Sequence, residues 1–440
     1  MSDCFRYDLI PAGARVLCAL SGGADSMYLL CRLLEGAERG NYTVCAAHFN
    51  HGLRPTAGRD EDFARMWCAK QGVPLAVGRG DVRAFAARQG QSVEEGARVL
   101  RYSFLEETAA RGDCALIATG HHAGDNAETV LMNLIRGSGL KGLTGIPERR
   151  GNIIRPMLAV SRADIEHYLA ANGIPHVEDE SNGDQSYTRN KIRHRLIPLL
   201  EELNPRAAEH ICAAAARLRE DEAELSRQGA ALAAGAEEGP DGLSIPAGLL
   251  AGAPRAIALR ALALLTERAG SAADAGQLES LLALAAGDDP SARLDLPGGC
   301  TARREYDRLV FGACPAEPPA PMKLTAGQFR WGDWRLTCTP AVSPPKPYVD
   351  RTEFFLRPAL YTVRSRREGD EVRLGLRPTK TVKKLMIEEK VPAARRERIP
   401  VLAHSDGCAA ALGGFGPDAR YLAHPGQSAL HIVLREEKEL

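Results

Sequence analysis

The sequence predicts an α/β fold: a doubly wound parallel sheet followed by a helical middle domain and a small α+β C-terminal domain. Three observations support this prediction. Short apolar runs alternate with helical stretches from residue 14 to about residue 160. The composition then becomes rich in Ala and Leu from about Pro205 to Asp289. From about Tyr361 the pattern is that of strands and turns. A chain of 440 residues is also too long for one core.

The alternating region begins with the strand Arg15–Leu20 and a helix that starts near Ser26. The next strands are YTVCAAHFN, VPLAVGRGDV and CALIATGHH, and the helices after them contain DEDFARMWCAKQG, VEEGARVLRYSFLEETAARG and NAETVLMNLIRG. Nearly continuous apolar strands are typical of a parallel sheet that is covered on both faces. Ligands of such sheets bind beyond the carboxyl ends of the strands, so we expect the functional residues there.

We expect four segments along the chain. Residues 1–204 form the α/β catalytic domain, 205–315 a helical domain with terminal strands, 316–358 a linker and connecting segment, and 359–440 the C-terminal domain. The proline-rich stretch Cys314–Lys323 is the reason for placing a linker there.

Composition and charge exclude several classes of protein. The 56 basic residues balance 56 acidic ones, although a net charge of zero still permits a segregated nucleic-acid-binding surface. The 11 cysteines form no CxxC pair, which argues against a zinc ribbon or a thioredoxin-type site. Neither a signal-peptide pattern nor an apolar run of membrane-spanning length occurs, so we expect a cytoplasmic protein without membrane contact.

The stretch SGGADS connects the first strand to the first helix. It consists of Ser21, Gly22, Gly23, Ala24, Asp25 and Ser26. Two glycines allow backbone N–H groups to surround phosphate oxygens, but the lysine of a Walker loop is missing. Because Asp25 would repel a phosphate, we expect a metal ion between them. The alternative is a tight turn with Asp25 or Ser26 as the helix N-cap.

A second polar cluster, which begins with TGHH, follows the strand that ends near residue 118. Asp125 and Glu128 are three residues apart at the start of the next helix. A catalytic carboxylate pair and a helix-capping pair have the same spacing, so spacing alone leaves both interpretations open. The two histidines, His121 and His122, are equally compatible with half-buried packing.

Two basic stretches indicate contact with anions. The first places Arg189, Lys191, Arg193 and Arg195 at a helix start, where positive charge is unfavourable unless it meets an anion. The second contains Lys380, Lys383, Lys384, Lys390, Arg395, Arg396 and Arg398. Glu388, Glu389 and Glu397 partly offset the second stretch, and a solvated surface is the alternative for both.

Several motifs resemble known families. SGGADS resembles the SGGxDS signature of the ATP pyrophosphatase superfamily, whose loop holds the leaving pyrophosphate. HHAGDNAETVLMNLIRGSGLKGL, HFNHGLRP, EEGARVLRY, the segment Val177–Pro205 and the segment Arg364–Leu402 resemble motifs of the tRNA(Ile)-lysidine synthetases. One departure is Gly124, which stands where that family usually has an aspartate.

The resemblance implies a reaction. With ATP and Mg²⁺, the enzyme adenylates the C2 carbonyl oxygen of the wobble cytidine in the CAU anticodon of a minor isoleucine tRNA and releases pyrophosphate. Free L-lysine then displaces AMP and leaves lysidine. A homodimer is compatible with these expectations. The alternatives are a tRNA thiolase with the same loop, which normally needs paired cysteines, and a decayed enzyme that only binds RNA.

The resemblance also implies roles for individual residues. The expected catalytic residues are Asp25, Asp125, Glu128 and Arg193, with Asp25 also holding magnesium. The expected ATP-binding residues are Ser21, Gly22, Gly23, Ala24, Asp25, Ser26, His48 and Arg101. The expected tRNA-binding residues are Arg189, Asn190, Arg193, Arg195, Lys380, Lys383, Lys384 and Arg395.

Overall fold

The computed structural model describes residues 4–53, 57–177, 188–239, 241–313, 317–375 and 377–437. The chain divides into two compact units, one that extends to residue 223 and one that begins at residue 224. Within the described ranges, every helix is too short or too polar to cross a membrane.

The first unit contains the predicted parallel sheet. Its strands are β1 Arg15–Ala19, β2 Thr43–Asn50, β3 Leu75–Arg79, β4 Leu116–Ala118, β5 Arg149–Arg150 and β6 Ile153–Ile154. Their order in the sheet is β3-β2-β1-β4-β6-β5. All neighbouring pairs are parallel except β5 and β6. The predicted doubly wound sheet is therefore confirmed.

Helices cover both faces of this sheet. The helices of this unit are α1 Ala24–Gly40, α2 Ala57–Gln71, α3 Val82–Gln89, α4 Val93–Arg111, α5 Ala123–Ile135, α6 Leu140–Leu143, α7 Arg162–Ala171, α8 Thr188–Lys191 and α9 Ile197–Leu203. A π-helical turn, Ile192–Leu196, joins α8 to α9. The helix α10, Ala207–Ala233, begins in the first unit and ends in the second. The short helix α3 was not expected from the sequence.

Successive residues of β1 point to opposite faces of the sheet and so enter two different cores. Val16 and Cys18 lie in the core formed with α1, α2 and α7, whereas Leu17 lies in the core beneath α4. Leu30 and Leu33, one helical turn apart on α1, are fully buried in the first of these cores. Burying each such leucine stabilises the fold by about 1.5–3 kcal/mol relative to leaving it exposed.

The strand order places the two functional loops side by side. The chain adds β2 and β3 on one side of β1, and then β4 and β6 on the other. The carboxyl ends of β1 and β4 are therefore neighbours at the point where the order reverses, where ligands of such sheets bind. A Cβ at Gly120, just after β4, would lie 3.2 Å from the carbonyl oxygen of Asp25. The glycine allows this close approach.

The second unit begins with one sheet packed against helices. Its elements are β7 Glu237–Gly239, β8 Gly242–Pro246, α11 Ala247–Gly252, α12 Arg255–Arg268, α13 Ala275–Ala286, β9 Arg293–Asp295, β10 Cys300–Glu305 and β11 Arg308–Ala313. The strand order is β7-β8-β11-β10-β9, and neighbouring strands are antiparallel. Fully buried residues from the helices and strands, among them Leu262, Leu281 and Leu309, share one core.

The C-terminal part of the second unit is rich in strands and contains two short helices. Its strands are β12 Met322–Leu324, β13 Gly327–Trp331, β14 Trp334–Val342, β15 Glu353–Leu356, β16 Tyr361–Arg364, β17 Glu371–Val372, β18 Lys380–Thr381, β19 Val401–His404, β20 Ala409–Leu412, β21 Gly416–Pro417 and β22 Ser428–Glu436. Its helices are α14 Val382–Glu388 and α15 Ala393–Arg396. The sheet orders are β12-β16-β19-β20-β21, β13-β14-β22-β15 and β17-β18.

The segment 316–358 differs from the expected linker. It contains four strands, β12 to β15, and nine residues of β14 pair with the C-terminal strand β22. Leu336 and Cys338 of β14 are buried in the same core as Ile432 of β22. In the sequence analysis, the prolines of this segment favoured a linker over strands. The alternating burial of residues along β14 becomes clear only when its distant partner strand is known.

This pairing predicts the effect of two matched substitutions. Leu336→Ala should lower the free energy of unfolding by about 2–5 kcal/mol, because the fully buried side chain leaves a cavity. Leu360→Ala removes the same atoms from a side chain that is 79% exposed. This substitution should change the free energy of unfolding by less than about 0.5 kcal/mol. Denaturant titrations of the full chain measure both values. Equal small effects would mean that 316–358 is a linker after all.

Candidate nucleotide-binding and catalytic site

The loop between β1 and α1 is a tight turn shaped by one glycine and one serine. Gly22 has a φ of +91°, a conformation that favours glycine, and a Cβ there would lie 3.3 Å from the ring of Phe63. Ser26 Oγ accepts hydrogen bonds from the N–H groups of Ser21 and Gly22, each at 3.1 Å, and donates to the carbonyl oxygen of Gly23 at 2.9 Å. One serine hydroxyl therefore fixes the curvature of the loop.

The expected alternative, in which Asp25 or Ser26 caps α1, does not hold. The N-cap residue is Gly23, which supplies no side-chain hydrogen bond to the helix. The loop thus meets the positive end of α1 directly, an arrangement that suits anionic ligands.

Asp25 lies in the first turn of α1 and is paired with an arginine. Arg162 Nη1 donates to Asp25 Oδ1 at 2.7 Å, and the Asp25 side chain remains 35% exposed. Among the described residues, no three His, Cys, Asp or Glu side chains form a metal-binding group. A single carboxylate beside a phosphate loop nevertheless fits Mg²⁺, which prefers oxygen ligands and completes its shell with water and phosphate oxygens.

The predicted carboxylate pair on α5 binds two of the predicted arginines. Glu128 accepts from Arg189 Nε at 2.9 Å and from Arg193 Nε at 2.5 Å. Asp125 Oδ1 accepts from Arg193 Nη2 at 2.9 Å. Arg189 lies on α8, and Arg193 lies on the π-helical turn. The cations that seemed misplaced at a helix start are thus held by buried carboxylates more than 60 positions away in sequence.

Charge and hydrogen bonding keep Asp125 ionised. The Glu128 side chain is 3% exposed and that of Asp125 is 15% exposed. Burial by itself raises the pKa of Asp125, but His122, His121 and Arg189 together bring that pKa below its ordinary value. Asp125 therefore stays a carboxylate at neutral pH and can act as an acceptor.

Asp125 also caps its own helix, so both interpretations of its spacing apply. Asp125 Oδ2 accepts from the backbone N–H of His122 at 3.2 Å, and His122 Nδ1 accepts from the N–H of Gly124 at 3.0 Å. A Cβ at Gly124 would lie 2.6 Å from His122 Cε1. The glycine at this position thus gives the His122 ring room to fold over the start of α5.

His121, the other histidine of the pair, lies at the same edge of the sheet. Its Nδ1 is 3.0 Å from Thr119 Oγ1. Burial lowers the pKa of His121 to about 4, and nearby Asp125 offsets only part of that effect. His121 is therefore a neutral imidazole near pH 7.

The two other residues expected to bind ATP lie on β2 and α4. His48 is buried, its Nδ1 donates to the carbonyl oxygen of Leu20 at 2.9 Å, and burial lowers its pKa. This bond ties β2 to the start of the glycine loop. The Arg101 guanidinium lies 5.5 Å from the ring centroid of Tyr102, and burial lowers its pKa.

The remaining residues expected to contact tRNA are placed in different surroundings. Asn190 is half-buried and Arg195 is exposed. Lys380 pairs with Glu388 at 2.6 Å, and Arg395 pairs with Asp241 at 2.7 Å. Lys383 and Lys384 are exposed on α14. Two of the four C-terminal cations therefore already have carboxylate partners. The motif residues 54–55 and 178–187 lie outside the described residues.

Sequence reasoning missed Arg162. It is the first residue of α7, immediately after the N-cap Ser161. The available signal was an arginine at a helix start, the same unusual placement that drew attention to Arg193. Without the fold, nothing connected it to Asp25, which is 137 positions away.

Two cysteines of the parallel-sheet domain lie close together, but away from the glycine loop. Cys45 Sγ and Cys114 Sγ are 3.3 Å apart, with Cys45 near the start of β2 and Cys114 just before β4. Cys45 belongs to the core beneath α4, and the half-buried Cys114 packs against that core. The pair is therefore at the amino ends of the strands, opposite the glycine loop, where it could not serve as the paired site of a thiolase.

The reversal of strand order beside a glycine loop and a carboxylate–arginine cluster defines a nucleotide-binding PP-loop domain. Family models agree, with a PP-loop domain matching residues 7–200, a TilS substrate binding domain 246–310 and a TilS substrate C-terminal domain 361–434. A tRNA(Ile)-lysidine synthase of Geobacillus kaustophilus is 32% identical and covers 98% of this chain and 97% of its own. A tRNA(Ile)-lysidine synthase of Geobacter sulfurreducens is 34% identical and covers 97% of this chain and 94% of its own. The chain belongs to the tRNA(Ile)-lysidine synthase family.

A solved structure of the U34-tRNA thiolase NcsA from Methanococcus maripaludis is 19% identical to this chain. It covers 49% of this chain and 76% of its own, with a TM-score of 0.43.

The low pKa of His121 predicts a pH-dependent contribution to stability. The unfolded chain takes up a proton at His121 near pH 6.5, whereas the folded chain does so only near pH 4. The free energy of unfolding should therefore fall as the pH drops between these values, by at most about 1.4 kcal/mol per pH unit. His121→Gln should remove this part of the pH dependence. Denaturant titrations from pH 4 to 8 measure the difference, and a constant difference between the two proteins would contradict the prediction.

Proposed function

We propose that this chain is an ATP-dependent ligase that forms lysidine on an isoleucine tRNA. It activates C2 of the wobble cytidine as an adenylate, releases pyrophosphate, and replaces AMP with lysine. The observation that carries the proposal is the position of the SGGADS loop beside the carboxylate–arginine cluster, in a chain that matches the family along its whole length.

In the first step, the loop binds the phosphates of ATP. Backbone N–H groups at the positive end of α1 face the triphosphate, and Asp25 is the carboxylate that would hold Mg²⁺ there. Magnesium would spread the negative charge of the leaving pyrophosphate. His48 and Arg101 would complete the nucleotide site, with neutral His48 fixing the loop through Leu20.

In the second step, the ε-amine of free L-lysine attacks C2, and it must lose a proton to do so. Asp125 and Glu128 have different surroundings, so we assign them different tasks. Glu128 is the more buried and holds both Arg189 and Arg193, so it positions these arginines. Asp125 is the more exposed and ionised, so it receives the lysine ammonium and accepts its proton. Arg193 then faces the phosphate of the adenylate.

The RNA substrate we propose is an isoleucine tRNA with a CAU anticodon. Its wobble cytidine is unpaired, so moving it into a pocket costs little. Exposed cations of the C-terminal segment 359–440, above all Lys383 and Lys384, would contact the phosphate backbone. We retain the divisions at 204 and 315 as a proposal, whereas 316–358 folds together with the C-terminal segment through the pairing of β14 with β22. The homodimer remains a prediction.

Three variants separate the two steps. Asp25→Asn should slow tRNA-dependent pyrophosphate release about 100-fold or more, because the site loses its charge for magnesium. Asp125→Asn should raise the KM for lysine about 10-fold and leave pyrophosphate release intact, since it removes one charge-assisted hydrogen bond. Glu128→Gln should impair both steps because the arginines lose their anchor. Pyrophosphate release and lysidine formation are measured with ATP, magnesium, lysine and tRNA.

The control for these variants is Glu107→Gln. This glutamate is 67% exposed at the far end of α4, where it pairs with Arg111. The variant should behave like the unmodified protein. Normal pyrophosphate release by a folded Asp25→Asn protein would refute the assignment of the loop, and no lysidine from the unmodified protein would refute the function.

The C-terminal cations can be tested by point substitutions. Deleting the segment is unsuitable, because β22 completes the sheet that contains β14. Lys383→Ala with Lys384→Ala should weaken tRNA binding and flatten its log–log salt dependence by about 0.7–0.9 for each phosphate that the protein no longer neutralises. The exposed Lys346→Ala is the matched control. Filter binding across a salt series measures both effects, and an unchanged slope would mean that the two lysines are only solvated.

A further inference from the structure

Arg162 occupies a position that an isolated helix disfavours. It is the first residue of α7, where the helix dipole disfavours a positive charge. Two carboxylates compensate for this. Arg162 Nη1 lies 2.7 Å from Asp25 Oδ1, and its Nε lies 2.7 Å from Glu166 Oε1. Glu166, one turn along the same helix, already gives Arg162 a local partner, so the contact with Asp25 needs its own explanation.

The packing of α7 on α1 explains why Arg162 reaches the loop. Tyr168 of α7 packs edge-to-face against Tyr28, with the ring centroids 5.0 Å apart. The Tyr168 hydroxyl donates to Glu35 Oε1 at 2.5 Å. Because Arg162 meets Asp25 at the helix starts and Tyr168 meets residues further along, the two helices run in the same direction. Both positive helix ends therefore lie at the glycine loop.

Without Arg162, the side-chain charge beside the loop would be negative and would oppose the binding of a triphosphate. Asp25 is an acidic side chain in the first turn of α1, so it repels the phosphates that the loop attracts. Arg162 neutralises it and is itself 49% exposed, so a ligand entering the loop can reach the guanidinium. A guanidinium presents paired N–H donors in the geometry that phosphate oxygens accept.

We propose that Arg162 is a substrate-contacting residue that binds the pyrophosphate part of ATP. It holds Asp25 while the loop is empty and turns to the phosphates when the triphosphate enters, which frees the Asp25 carboxylate. The inference rests on the proposed function and adds to it the group that receives the leaving pyrophosphate. A purely structural role, in which Arg162 only fastens α7 to α1, is the alternative.

The test compares two halves of ATP as ligands. Inorganic pyrophosphate contains the leaving group and AMP does not. Their dissociation constants are measured by calorimetry on the full chain, in buffer with a chelator and no magnesium. Arg162→Gln should weaken pyrophosphate binding at least about 10-fold and leave AMP binding unchanged. Arg162→Lys should restore part of the affinity, because it keeps the charge without the planar fork.

Glu166→Gln is the matched control, since it removes the other partner of Arg162 and leaves the contact with Asp25 in place. It should bind pyrophosphate at least as tightly as the unmodified protein. Equal weakening of AMP and pyrophosphate binding in Arg162→Gln would indicate a structural role and overturn the proposal, as would unchanged binding of both ligands.

A separate measurement distinguishes this proposal from the proposed function. Lysidine formation by the unmodified protein tests the function alone. If the unmodified protein forms lysidine and Arg162→Gln binds pyrophosphate normally, the proposed role of Arg162 is refuted and the proposed function is not. If Arg162→Gln loses pyrophosphate binding and no lysidine forms, Arg162 is a phosphate ligand in an enzyme of another substrate.

Discussion

The site depends on the neutralisation of carboxylates by arginines that are distant in sequence. Asp25 is paired with Arg162, and the pair formed by Asp125 and Glu128 holds Arg189 and Arg193. An enzyme that binds ATP and RNA must attract phosphates, and bare carboxylates at the same place would oppose that. Guanidiniums remove the conflict because they remain charged at all relevant pH values and hold two oxygens in fixed geometry.

The same pairing organises the fold around the carboxyl ends of the strands. Arg162 joins α7 to the loop after β1, and Arg193 joins the π-helical turn to the helix after β4. A π-helical turn is unusual and often occurs at functional sites, and here it lies within the segment that presents Arg193. With Glu128 nearly excluded from water, removing one of its arginine partners should destabilise the fold, because the buried carboxylate would lose part of its compensation.

The site also depends on the close approach of backbone segments at glycine residues. Gly120 lets the end of β4 touch the start of α1, and Gly22 adopts a backbone conformation that side chains disfavour. Gly124 gives His122 room to close over the start of α5, where Asp125 completes the cap. The residue that departs from the family motif thus supports a local arrangement that keeps Asp125 oriented toward Arg193.

The sequence by itself determined the parallel sheet, the glycine loop and the identity of most charged residues at the site. Periodicity, loop composition and motif resemblance are local properties, so they can be read without the fold. The sequence could not decide which carboxylate meets which cation. Asp25 and Arg162 are 137 positions apart, and the sequence around each residue does not predict their contact.

Tertiary structure alone decided the arrangement of the segment 316–358 and the surroundings of the basic stretches. Leu336 is a core residue only because β22 pairs with β14 about 100 positions further along the chain. Arg395, predicted to contact tRNA, pairs with Asp241, whereas Lys383 and Lys384 are exposed. Charge is visible in a sequence, but its partner is set by long-range packing, because an ion pair forms wherever the fold brings opposite charges within reach.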